Sequence, residues 1–202
     1  MVELFKEALE GRAFEHAVIP TGSIAFSPEL FKACEANVCG MYNKTWTCPP
    51  AVGPLEKQKE KILAFDSAFV FTTKADLDDS FDYEGMIRAK DSHDRLTAAM
   101  HERFGKTNPV FGAGGCKLCA NAVGDANEVG DGNEVGDGNE VGDGNDVGES
   151  CAYPGPCRFP DKIFSSIEAA GIDVTQLSRA GGIRYNNGEN TITYFSMILF
   201  NG

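Results

Sequence analysis

The chain has 202 residues, 42% of them hydrophobic, which is enough for one sizeable buried core. Its most apolar stretch, residues 62–71, is interrupted by Asp66 and Ser67, and residues 1–10 carry charges throughout with no apolar leader core. The sequence therefore predicts no membrane span, no secretory export and a cytoplasmic location. Seven cysteines in a reducing compartment point to ligands or reactive thiols rather than disulfides, and an odd number cannot all pair within one chain. Formal net charge is −12, but residues 123–149 alone carry nine acidic side chains and no Lys or Arg, so the remainder stands at −3. No basic stripe is left for counterion release, which argues against nucleic acid as a partner.

In chain order, a short amphipathic helix is expected over residues 2–10 and a strand over 14–19. Ser27-Pro28 reads as an N-cap with a first-turn proline, opening a helix through about Ala36. Residues 54–65 read as a helix with Leu55, Ile62 and Leu63 inward, followed by a strand at 68–73. A helix over 81–104 is clearest at Leu96, Met100 and Phe104, and its wholly polar middle, Lys90 to Arg95, suggests a break. Residues 108–111 read as a short strand running into Gly112-Ala-Gly-Gly115. Ser165-x-x-Glu168 has the form of a capping box for a short helix ending at Gly171, and 175–180 makes another. Residues 183–185 and 191–200, joined by Asn187-Gly188, predict a hairpin. The fold class expected is α+β, a single domain of residues 1–122 and 149–202 with cysteine-rich metal-binding loops.

Residues 123–148 form the one internal repeat, VGDANE, VGDGNE, VGDGNE, VGDGND, with a period of six. A hexapeptide coil needs about three hexads per turn, and one Val per hexad is too little core to offset the ordering entropy of so Gly-rich a chain. Calcium loops fail on spacing, because Val135 falls where an EF-hand needs a ligand and Gly142 where it needs Glu. The expectation is a flexible acidic insertion.

The cysteines fall in two groups, Cys34-x4-Cys39-x8-Cys48 and Cys116-x2-Cys119 … Cys151-x5-Cys157. The hexads separate Cys119 from Cys151, but closure cost grows only logarithmically with loop length. About three doublings cost roughly 2 kcal/mol, against about 10 kcal/mol or more for a metal site. The second group is therefore read as a four-thiolate site. Zinc favours paired CxxC knuckles and only one is present, whereas CxxC followed by two more cysteines resembles a cluster-binding ferredoxin loop. Gly112, Gly114 and Gly115 would let backbone N–H groups approach sulfur, and Lys117 and Arg158 adjoin cysteines. An ordinary tight turn and solvent-facing charges are the plainer alternatives.

Cys34, Cys39 and Cys48 allow a cluster with one open iron, a thiol site, or buried packing residues beside Trp46, and Pro49-Pro50 reads as an extended, rigid exit. His101-Glu102 begins like a zincin helix but meets Gly105 where the second His belongs, and His16 and His93 have no visible partner.

Together these residues resemble a known pattern. Cys34, Asn37-Val-Cys39-Gly40, Tyr42 and Trp46-Thr-Cys48-Pro49-Pro50 form one half, and Gly114-Gly-Cys116-Lys-Leu-Cys119 with Cys151-Ala-Tyr-Pro and Pro156-Cys157-Arg158 the other. Glu168-Ala-x-Gly171-Ile-Asp173 and Thr193-Tyr194-Phe195 complete it. The pattern resembles the family of predicted metal-binding proteins called domain of unknown function 2284, a resemblance that implies metal binding but no reaction. The reading that follows is an iron–sulfur protein. Cys116, Cys119, Cys151 and Cys157 hold a 4Fe-4S cluster, Cys34, Cys39 and Cys48 hold a second centre, and a redox protein is the partner. Structural zinc in an interaction module and a metal-handling role are the alternatives.

Overall fold

The structure, a computed structural model, describes residues 1–121 and 151–202; the acidic repeat, and with it the expected flexible insertion, lies outside the described residues. Two apolar segments make the frame. β2 (Ser67–Asp76) and β4 (Thr191–Phe200) pair antiparallel over ten residues, from Ser67 opposite Phe200 to Asp76 opposite Thr191. β1 (His16–Pro20) adds to the free side of β2 and β3 (Val110–Phe111) to that of β4, giving the order β1-β2-β4-β3. Successive side chains point to opposite faces, so Phe69, Phe71 and Ile198 turn one way and Ala68, Val70, Met197 and Leu199 the other. The first face is covered by α1 (Val2–Leu9) and α4 (Tyr83–Phe104), through Phe5, Leu9, Leu96 and Met100. The second is covered by Ile62 of α3 (Leu55–Leu63), Leu177 of α6 (Val174–Gly181), and Ile167 and Ile172. Burial on both faces explains why the central strands read as unbroken apolar runs. The α+β expectation stands.

Several local expectations change. Residues 183–185 are not a strand: Asn187 Nδ2 donates to Arg184 O and Thr193 Oγ1, closing a loop, while β4 takes its partner from β2 more than a hundred residues away. Residues 166–171 form a turn rather than a capped helix. There Ser166, not Ser165, receives the amide of Ala169 on its hydroxyl, and the backbone around Ser165–Ile167 pairs with Gly112. Leu63 is exposed, and the inward positions of α3 are Gln58 and Ile62.

The expected break in α4 is absent, because the polar residues there have partners. His93, fully buried, lies 2.9 Å from Thr73 Oγ1 through Nδ1 and 2.8 Å from Ser196 Oγ through Nε2. Thr97 donates to His93 O and sits 2.8 Å from Ser196 Oγ, and Lys90 Nζ bonds Asp94 one turn on at 2.6 Å. Thr97 thus has its acceptor side toward Ser196, which leaves Ser196 to accept from His93 Nε2–H and Nδ1 to accept from Thr73.

Burial, assisted by the Lys90 charge, pushes the His93 pKa down to about 4. The unfolded imidazole binds a proton near pH 6.5 and the folded one does not, so stability falls as pH drops from about 6.5 to about 4. The expected loss is about 3 kcal/mol across that window. Urea denaturation of the native chain and of His93→Gln between pH 4 and 7 checks this, the variant showing a flatter profile.

Candidate metal centre

Both cysteine groups lie in loops that leave the covered sheet. Beyond β3 the chain enters the glycine run. Gly112 N donates to Ser165 O and Ile167 N to Gly112 O, so the 165–167 segment pins the run's beginning. Gly114 has φ 66°, a conformation glycine adopts freely, and its amide donates to Glu168 Oε2 at 3.1 Å. Cys116 follows, then Cys119 in the single turn α5 (Leu118–Asn121). Cys151 and Cys157 bracket a turn in which Gly155 N donates to Ala152 O. Trp46 Nε1 donates to Gly155 O at 2.9 Å, and the Trp46 ring meets Tyr153 edge-on at 5.0 Å. One indole therefore ties the Cys151–Cys157 loop to the loop that carries Cys48.

The four thiols of the second group share a neighbourhood. Burial pushes the Cys116 thiol up to about 11; the Leu118 amide opposes this, while Cys119, Cys151 and Cys157 each push further upward. Cys119, Cys151 and Cys157 thus all lie near enough to Cys116 to bear on its ionisation.

The first group is assembled by turns. α2 (Pro28–Glu35) is capped as expected by Ser27, whose Oγ accepts from Leu30 N, and it carries Cys34 in its last turn. Asn37 then takes a left-handed conformation and accepts Tyr42 N on Oδ1 at 3.0 Å, and Gly40 follows with φ 76°. These turns bring Cys39, exposed, back toward its neighbours. Burial raises both Cys34 and Cys48, and each is raised further by the Cys39 thiol; hydroxyls of Thr45 and Thr47 bond the Cys48 sulfur and act the other way. Pro49-Pro50 is not the expected extended exit: its peptide bond is cis and the segment is a turn, with Asn43 N donating to Pro49 O.

The two groups adjoin. Cys116 N donates to Thr47 Oγ1 at 3.2 Å, and Thr47 precedes Cys48. Gly115 lies beside the same segment: a Cβ there would stand 3.0 Å from Met41 Cε and in ordinary contact, 3.7 Å, with Cys48 Sγ. Lys117 sits 4.0 Å from Asp91 of α4. A cavity of about 60 Å³ lies against Cys116, lined by Asp94, Gly114 and Phe164, and one of about 310 Å³ lies against Trp46 and Thr47, with Lys61 and His101 on its wall.

All seven cysteines are free thiols. Among the described residues, no three Cys, His, Asp or Glu side chains close around a single point as one ion requires. The donor chemistry nevertheless fits a cationic centre: clustered, desolvated thiols raise one another's pKa, and a bound cation turns that repulsion into ligation. Sequence reasoning missed Thr47 and the position of Glu168; the threonines flanking Trp46, directly before Cys48, were the available signal.

Trp46 is the only tryptophan and touches the Cys151–Cys157 loop, so its emission reports on that loop. Titrating the anaerobic, reduced protein with Cd²⁺ is expected to shift or quench this emission, and Cys157→Ser to remove most of the change. Thr47→Val leaves the Cys116 amide without its acceptor and is expected to cost about 1–3 kcal/mol in thermal or urea unfolding.

No helix of the described residues is long and apolar enough to cross a membrane. No curated protein matches the chain, and no solved structure does. A family model described as predicted metal-binding protein (DUF2284) matches residues 17–134 and 139–200, a span that takes in all seven cysteines. With thiol groups converging in adjoining loops and nearly the whole chain matched, this protein belongs to the DUF2284 family of predicted metal-binding proteins.

Proposed function

We propose that this is a cytoplasmic iron–sulfur protein with two adjoining centres, serving one-electron transfer with a redox protein partner. Cys116, Cys119, Cys151 and Cys157 hold a 4Fe-4S cluster, and Cys34, Cys39 and Cys48 hold a second centre by three thiolates. The observation that carries this reading is the junction at Thr47, whose hydroxyl accepts the Cys116 amide and bonds the Cys48 sulfur. Two thiol groups linked through one hydroxyl suit the passage of an electron between neighbouring centres, a chemistry that structural zinc does not use.

A fully thiolate-ligated cluster, when bound, supplies one-electron chemistry at a potential tuned by hydrogen bonds to sulfur and by solvent access. The chain supplies the tuning. The hydroxyls of Thr45 and Thr47, 3.3 Å apart, favour charge on Cys48, the Leu118 amide favours it on Cys116, and burial of Cys48 and Cys119 keeps water from those sulfurs. Cys39, the exposed thiol, gives the first group its solvent-facing edge.

Anaerobic purification with iron, acid-labile sulfide and zinc counted beside the visible spectrum tests the reading. About eight iron and eight sulfide per chain, with absorption near 400 nm, is the expected result. About four of each would leave Cys34, Cys39 and Cys48 for another role. Stoichiometric zinc in a colourless protein, still colourless after anaerobic reconstitution, would overturn it in favour of a structural zinc module.

A further inference from the structure

We propose that the cavity of about 310 Å³ at the free edge of β3 binds a small carboxylate with a flat apolar body. No cysteine lines this cavity, which makes it a site separate from the thiol loops and independent of any metal they hold.

The cavity exists because two segments part. Gly112 pairs with residues 165–167 on the side of β3 away from β4, but the chain before that pairing diverges. Space opens between Val110–Phe111 and residues 163–165. Across the β3–β4 ladder Leu199 N donates to Pro109 O, and Val110 stands opposite Ile198 at the next position. The alternation of an antiparallel ladder then turns Val110 N–H and C=O away from β4, toward the free edge where the cavity lies.

Two half-buried aromatic rings, Trp46 and Phe164, line it, and each is held in place. Trp46 is fixed by its bond to Gly155 O at 2.9 Å and its edge contact with Tyr153. The Phe164 ring packs where a side chain on Gly112 would stand, 2.6 Å from that Cβ position, and meets the His101 ring at 5.5 Å. Rings fixed in advance lose little freedom when a flat molecule lies against them.

Charge selects the anion. The chain carries a formal net charge of −12, yet no Asp or Glu lines the cavity, whereas Lys61 and His101 do. Lys61 Nζ lies 5.6 Å from the centroid of the Phe111 ring and has no ion-pair partner among the described residues. His101 Nε2–H donates to Asp161 O at 3.2 Å, and its Nδ1 is left without a partner. An ammonium above an apolar ring, with no carboxylate of its own, is what a ligand carboxylate completes through a charge-assisted hydrogen bond. Aromatic walls with a few polar groups, at the small end of ligand-pocket volumes, suit a small molecule rather than a peptide.

The test uses the full chain, anaerobic and reduced, with three probes: benzoate, benzamide of the same shape without the charge, and acetate with the charge but no flat body. Saturation-transfer NMR and calorimetry give the affinities. Benzoate is expected to bind at least about tenfold more tightly than either of the others. Lys61→Met is expected to remove that advantage over benzamide and Lys61→Arg to keep most of it. Lys59→Met removes a lysine of α3 that does not line the cavity, and benzoate binding is expected to stay as in the native chain; thermal melts confirm that each variant folds. The assignment is overturned if benzoate does not bind or binds no better than benzamide. It is equally overturned if Lys61→Met weakens benzoate no more than Lys59→Met does.

Discussion

Thiols removed from water and placed beside one another resist ionisation, and this constraint organises the loops of the molecule. Burial alone disfavours a thiolate, and each neighbouring sulfur adds to the penalty. Cys116 shows it most strongly, with three other thiols around it, and Cys34 and Cys48 show it together with a carboxylate nearby. Hydroxyls at Thr45 and Thr47 and the amide of Leu118 act the other way, favouring charge on the Cys48 and Cys116 sulfurs. These contacts offset part of a desolvation that otherwise holds the sulfurs neutral.

The rest of the fold holds these loops still. A four-stranded sheet covered on both faces forms the rigid part, and the glycine run leaves it directly from β3, the two-residue edge strand. That strand is short, but the 165–167 segment extends its pairing to Gly112, so the run starts from a fixed point. α4 stands over the same region. Its inner side carries the neutral His93 network against β2 and β4, and its Asp91 and Asp94 face Lys117 and the cavity beside Cys116. A polar middle to this helix is thus a connection between core and loops, which is why it does not break there.

What the sequence reveals follows the range of each interaction. The caps and turns set by neighbours a few residues apart were legible: Ser27 caps α2, and α1, α3 and α6 fall within a residue or two of their expected bounds. The α+β class and the grouping of the cysteines were also legible, because both depend on residue types and order. The expected hairpin failed because Asn187-Gly188 signals a turn without saying what the following strand pairs with, and β2 offered ten apolar-rich partners that residues 183–185 could not. The capping box at Ser165 failed for a related reason. Its glutamate has the right spacing for a local bond, but the pairing of 165–167 with Gly112 gives it a better-placed amide at Gly114.

The junction at Thr47 is the contact that no local pattern encodes, and it joins the chemistry of the two groups. A hydroxyl has one proton to give and lone pairs to receive. Here it receives the Cys116 amide and donates toward Cys48, so the two bonds polarise each other. Negative charge gained at the Cys48 sulfur strengthens the donated bond, makes the oxygen a better acceptor and draws on the Cys116 amide. The charge state of one group is therefore felt at the backbone of the other. Trp46 fixes the remaining loop to the same segment. Three consecutive residues, Trp46, Thr47 and Cys48, thus hold the Cys151–Cys157 loop, accept the Cys116 amide and contribute a sulfur of their own, so the segments that carry the two cysteine groups are tied to one another.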